Sequence, residues 1–130
     1  MKLDETNYGD IAEKVILDLK KEVNKSGKPI PIVTTSKIRN LLAMTADIQN
    51  DVRGWKSEKL NSEILGRINY LKIRFAYEAG RDPGVKRLID KADILEHLSE
   101  VKNNKQQYLL FSRYMEALVA YRKFYGGRDE

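Results

Sequence analysis

Ile64-Leu65-Gly66-Arg67-Ile68-Asn69-Tyr70-Leu71-Lys72-Ile73-Arg74-Phe75-Ala76-Tyr77-Glu78-Ala79-Gly80-Arg81-Asp82 is the stretch that decides the fold. Leu60, Ile64, Ile68, Leu71 and Phe75 recur at spacings of three and four, so they share one face of a helix and call for a core. Arg67, Tyr70, Arg74, Tyr77 and Arg81 recur at the same spacings. At 3.6 residues per turn they lie well round the cylinder from the apolar stripe. Guanidinium groups interleaved with phenol rings suit phosphates and nucleotides. Gly80 is expected to end the helix in the left-handed geometry of a C-terminal cap. Asp82-Pro83 is expected to open the next one as N-cap and first-turn proline.

The flanking sequence repeats the helical pattern. Ile11, Val15, Ile16, Leu19 and Val23 mark an amphipathic helix from Asp10 to about Asn24, after a frayed segment 1–9. Residues 24–33 hold two prolines, a glycine and no period, and read as an extended, mobile loop or a plain connection. Thr34, Thr35 and Ser36 are N-cap candidates for a helix whose inward face is Ile38, Leu41, Leu42, Thr45 and Ile48. Gly54 breaks it. The single tryptophan, Trp55, fits a ring packed on a core edge better than a base-stacking platform. Beyond Pro83, Val85, Leu88, Ile89 and Ala92 form the inner side of a short helix, with Lys86, Arg87 and Lys91 opposite. Asp93 is expected to cap a further turn carrying Ile94, Leu95, Leu98 and Val101, and Asn103-Asn104 marks a break. Phe111, Tyr114, Leu118, Tyr121 and Tyr125 form an aromatic core stripe on the last helix, from about Lys105 to Tyr125. Gly126-Gly127 ends it, and 128–130 is tail. Nothing alternates with period two. The expectation is an all-α single domain, 1–130, a compact bundle of five to six helices.

A chain of 130 residues can bury roughly two-thirds of its unfolded surface. It has no cysteine, so disulfides and thiolate chemistry are excluded. The longest apolar run, Ala117 to Tyr121, is far short of a membrane span. The acidic, polar N-terminus does not resemble a signal peptide, so a cytoplasmic location is expected. The net charge of +5 is uneven: residues 28–91 hold thirteen basic and seven acidic side chains, while the flanking segments are near balance. A basic region on a balanced protein favours a polyanionic partner. Lys37 and Arg39 add cations to the first turn of their helix, the unfavourable end for positive charge. An anionic partner there would offset that cost.

Catalytic signals are sparse. His97 is the only histidine, and Asp93, His97 and Glu100 share a helix face without a second histidine or a cysteine to complete a metal site. Asp47 and Asp51 have the spacing of a magnesium pair, but also of a solvated helix face. No phosphate loop, nucleophile elbow or zinc motif is present. The expectation is a non-enzyme without cofactor or metal. A helical adaptor for an acidic protein is the alternative, and a metal nuclease using Asp47, Asp51 or His97 a distant third.

Three stretches carry a family resemblance: Thr34-Thr35-Ser36-Lys37-Ile38-Arg39-Asn40-Leu41-Leu42, then 70–82, then Phe111-Ser112-Arg113-Tyr114-Met115-Glu116-Ala117-Leu118 continuing to Gly127. In this order and size they resemble the small Csm-type subunit of type III-A CRISPR effector complexes, over residues 34–129. The resemblance implies a non-catalytic helical subunit of an antiviral ribonucleoprotein. Its copies would stack as a minor filament beside the backbone subunits, with the large signalling and DNase subunit at one end. Their basic faces would track the guide RNA–target RNA duplex. Carried onto this chain, the implied RNA contacts are Lys37, Arg39, Arg74 and Arg81. Asn40 departs from the first motif, where a basic residue would fit better. The charge stripe adds Arg67 and Lys86, and Tyr70 and Tyr77 are sugar or base contacts.

Overall fold

A computed structural model describes residues 2–126. It contains six helices: α1 (Tyr8–Lys21), α2 (Thr35–Gly54), α3 (Ser62–Arg81), α4 (Pro83–Lys91), α5 (Ile94–Ser99) and α6 (Lys105–Phe124). Among the described residues the only β pairings are isolated bridges, Val23 with Pro29 and Lys59 with Asn104. No helix among them is long and apolar enough to cross a membrane. The expected tail, 128–130, and Gly127 lie outside the described residues.

α6 is the centre of the core. Tyr108, Phe111, Tyr114, Met115 and Leu118 are completely buried along it, facing α1 and α2. A phenol buried this deeply needs a partner for its hydroxyl. The Tyr108 hydroxyl donates to the Thr45 carbonyl of α2 at 2.8 Å, and that of Tyr114 to the Ala92 carbonyl between α4 and α5 at 2.9 Å. One helix thus pins two others. The stripe ends earlier than its spacing suggests, since Tyr121 and Tyr125 are only half-buried. Gly126 follows α6 at φ +92°, a left-handed conformation that glycine adopts without a Cβ clash.

α3 lies against α2, α4 and α5. Ile64, Ile68, Leu71 and Phe75 are buried on it, and Leu60 is buried just before it. Truncating a buried phenylalanine such as Phe75 to alanine typically costs about 3–5 kcal/mol. Asn61 caps the helix by accepting from the Ile64 N–H at 2.9 Å. Its far end corrects one expectation. Gly80 is not a left-handed cap; the helix continues through Arg81 and stops at Asp82, whose backbone is extended at φ −138° and ψ 112°. Pro83 explains this, because its ring crowds the residue before it out of helical geometry. Asp82 also caps α4, accepting from the N–H groups of Gly84 at 2.8 Å and Val85 at 3.3 Å.

Two expected loose segments are tied down. Leu3 is 2% exposed, its carbonyl accepts from Gln107, and Asp4 organises a turn through Thr6 and Asn7, so 2–7 is docked rather than frayed. Residues 22–34 form a strap. Asn24 closes a turn with Lys28, and Ile30 bonds back to Glu22. Arg87 donates to the Pro31 carbonyl at 2.7 Å and to Glu22 at 2.5 Å, while Lys91 pairs with the other Glu22 oxygen at 2.8 Å. The buried Arg122 donates to the Val33 carbonyl at 2.7 Å. A Cβ on Gly84 would meet the Val33 Cα at 3.3 Å, so that glycine lets the strap lie close to α4.

Asp93 occupies the position before α5, but in the left-handed region at φ 51° and without a capping side-chain bond. Asp is among the few non-glycine residues that tolerate that region. Asn104 does cap α6, through the Gln107 N–H.

Candidate nucleic-acid interface

The polar side of α3 faces solvent. Tyr70 and Tyr77 are 59% and 60% exposed, and Ile73 between them is 56% exposed. Arg67, Arg74 and Arg81 are spaced by seven residues, just short of two full turns. They therefore form a nearly straight row, with steps of roughly 10 Å along the axis. The Arg81 guanidinium lies 5.6 Å from the centre of the Tyr77 ring, a cation–π arrangement that presents both outward.

α2 runs beside this row, and the two helices enclose two open clefts. One, of about 540 Å³, lies between the start of α2 and the end of α3, lined by Lys37, Asn40, Arg74, Glu78 and Arg81 among others. The other, of about 480 Å³, lies one to two turns further along and is bounded by Arg67, Tyr70 and Arg74. Five of the eight residues read from sequence as RNA contacts thus line one groove system: Lys37, Arg67, Tyr70, Arg74 and Arg81. Tyr77 stands on the same exposed side of α3. Arg39 is exposed on α2 but lines neither cleft. Lys86 stands apart on α4, paired with Asp90 at 2.9 Å, with both side chains more than 60% exposed.

Carboxylates sit among these cations. Glu78 Oε2 is 3.5 Å from Arg81 and 4.0 Å from Arg74, longer than the 2.7–2.9 Å typical of a charge-assisted hydrogen bond. It balances charge while leaving guanidinium N–H groups available. Lys37 pairs with Asp82. The negative charge that the first turn of α2 calls for is therefore supplied within the chain. The Lys37 ammonium, with help from the Val85 and Gly84 N–H groups, holds the Asp82 carboxyl below its ordinary value despite partial burial. Arg67 pairs with Asp51 and donates to the Asp47 carbonyl at 3.3 Å. Asp51, considered above as half of a metal pair, is thus a counter-ion to Arg67.

His97 does not lie on an exposed face. It is 4% exposed, packs edge-on against Tyr114 at 5.2 Å and meets Glu100 through Nδ1 at 3.0 Å. No group of three or more potential metal ligands clusters among the described residues. Trp55 packs against the core edge, and its indole N–H donates to the Lys59 carbonyl at 2.8 Å. The link of Asp82 to Lys37, which joins residues 45 apart, is the feature of the interface least accessible to sequence reading, whereas that of Glu78 to Arg74 carries an i, i+4 signal.

The chain is similar to known proteins over most of its length. A family model described as Csm2 Type III-A matches residues 13–128. A Streptococcus thermophilus relative named CRISPR system Cms protein Csm2 is 43% identical over 127 residues, covering 98% of each chain. A relative of the same name from Enterococcus italicus is 35% identical, covering 96% of this chain and 97% of its own. One from Mycobacterium tuberculosis is 34% identical over 98 residues, covering 75% and 79%. The chain belongs to the Csm2 family of type III-A CRISPR systems.

Proposed function

We propose that the chain is a non-catalytic small subunit that holds the backbone of guide and target RNA on the exposed side of α3 and the adjoining groove. The observation that carries this reading is the row Arg67, Arg74 and Arg81, interleaved with the exposed Tyr70 and Tyr77 on a helix whose opposite face is buried. Arginine forks engage phosphates in pairs of parallel bonds, and the phenol rings offer surfaces for sugars or bases. Base pairing between guide and target reads sequence, so the protein needs only backbone and shape. Copies would stack head-to-tail into a filament, aligning their rows along one RNA, in contact with backbone subunits and the large subunit of a cytoplasmic effector complex.

The test is a salt titration with short RNAs of unrelated sequence. Each phosphate neutralised releases counter-ions, so affinity should fall linearly on a log–log plot against salt, with similar slopes for every sequence. Tight binding to one sequence that survives high salt would contradict the reading. Binding to an acidic protein with no measurable RNA affinity would favour the adaptor alternative.

A further inference from the structure

Gly66 stands in the interior of α3, and a Cβ built there meets nothing within 4 Å. Glycine is the least favourable residue in a helix interior after proline. No close approach of another chain segment requires it here. What Gly66 does is line the 480 Å³ cleft, whose size falls within the range of small-molecule sites. Met44, Ile48 and Leu71 give this cleft an apolar part of its lining, and the exposed Tyr70 lines it as well. Asp47 and Glu63 also line it. Their carboxylates repel a phosphate and accept hydrogen bonds from N–H groups, the chemistry of a nucleobase edge. Arg67, whose guanidinium also pairs with Asp51, and Arg74 line it too and suit the phosphates that flank such a base.

Building on the RNA-binding reading above, we propose that this cleft takes one unpaired nucleobase, stacked on Tyr70 over Gly66, while Arg67 and Arg74 hold the adjoining phosphates. The cleft is then a site for single-stranded RNA. A base kept within a duplex cannot enter it, and fully paired RNA gains nothing from it.

The experiment compares the full-length chain with Gly66→Leu and Tyr70→Ser. Each is titrated by fluorescence anisotropy against a short single-stranded RNA and an abasic ribose-phosphate oligomer of equal length. The wild type should prefer the base-bearing RNA by on the order of tenfold, as expected for one stacked base. Gly66→Leu fills open space, so it should melt at or above the wild-type temperature and bind both oligomers at the abasic level. Tyr70→Ser, at an exposed position, should lose the same preference and carries the test if the leucine variant does not fold. A folded Gly66→Leu protein that keeps the preference overturns the proposal. So does a wild type that binds both oligomers equally, with Arg74 and Arg81 still required; in that case the RNA reading stands. A wild type that binds neither oligomer removes the RNA reading and this proposal together.

Discussion

The chain uses arginine in two contrasting ways. Around the strap, Arg122 is buried and donates to the Val33 carbonyl, and Arg87 is half-buried between Pro31 and Glu22. These guanidinium groups complete hydrogen bonds of backbone that no helix or sheet satisfies. Along α3, Arg74 and Arg81 are 45% and 60% exposed at the side chain and share one carboxylate at 3.5–4.0 Å. An ion pair of that exposure contributes about 0–1 kcal/mol. The first pair holds the fold together; the second is held in place by it and remains available to a ligand. Residue type does not distinguish the two. Burial and the acceptor do.

The contrast predicts opposite outcomes for equivalent changes. Among the arginine changes, the largest stability effect should come from Arg122→Ala, which removes a buried donor and leaves the Val33 carbonyl without its bond. A cost of about 2 kcal/mol is expected, read as a clear drop in melting temperature. The folded fraction should bind RNA as the wild type does. Unchanged melting with weakened RNA binding would invert the comparison.

Asp82 lies between the two groups, since it caps α4 and anchors Lys37 beside the groove. Asp82→Ala should cost about 1 kcal/mol as a lost cap. Asp82→Asn keeps a capping oxygen and should cost less, so the difference between the two sharpens the value of the cap against that of the ion pair. The pH dependence follows from the charges. Asp82 and Glu22 are both held below their ordinary carboxyl values, Asp82 chiefly by Lys37 and Glu22 by Lys91 and then Arg87. A carboxyl lowered in the folded state contributes stability that is complete above its unfolded value, about 4, and lost as pH falls through the folded one. Thermal stability should therefore decline below about pH 4, and Asp82→Asn should flatten part of that decline. A wild-type melting temperature constant from neutral pH to pH 3 would contradict the assignment.

Much of the fold is legible because α2, α3 and α6 carry strong three- and four-residue periods and Thr34 offers an N-cap, whereas Asn61 and Asn104 emerge as caps only in the structure. Asp82-Pro83 is legible as a helix start, but Gly80 competes with it as the expected end of the preceding helix. Both residues satisfy a local rule, and the steric demand of proline decided between them. The docking of Leu3, the clamping of the strap by Arg87 and Arg122, and the burial of His97 against Tyr114 depend on contacts between helices far apart in sequence. Periodicity carries no information about those. The same limit applies to the candidate site. The row from Arg67 to Arg81 is local to one helix and could be read, while its joining to Lys37 across the groove required the packed structure. Lys86 followed from charge alone, and it stands outside both clefts.

The most direct test of the central claim is the double variant Arg74→Ala and Arg81→Ala, with melting and RNA binding measured on the same preparation. The account predicts a melting temperature close to wild type, a stability change within about 0.5 kcal/mol, RNA affinity reduced severalfold or more, and a shallower salt dependence. A variant that melts well below wild type while its folded fraction binds RNA normally would contradict it.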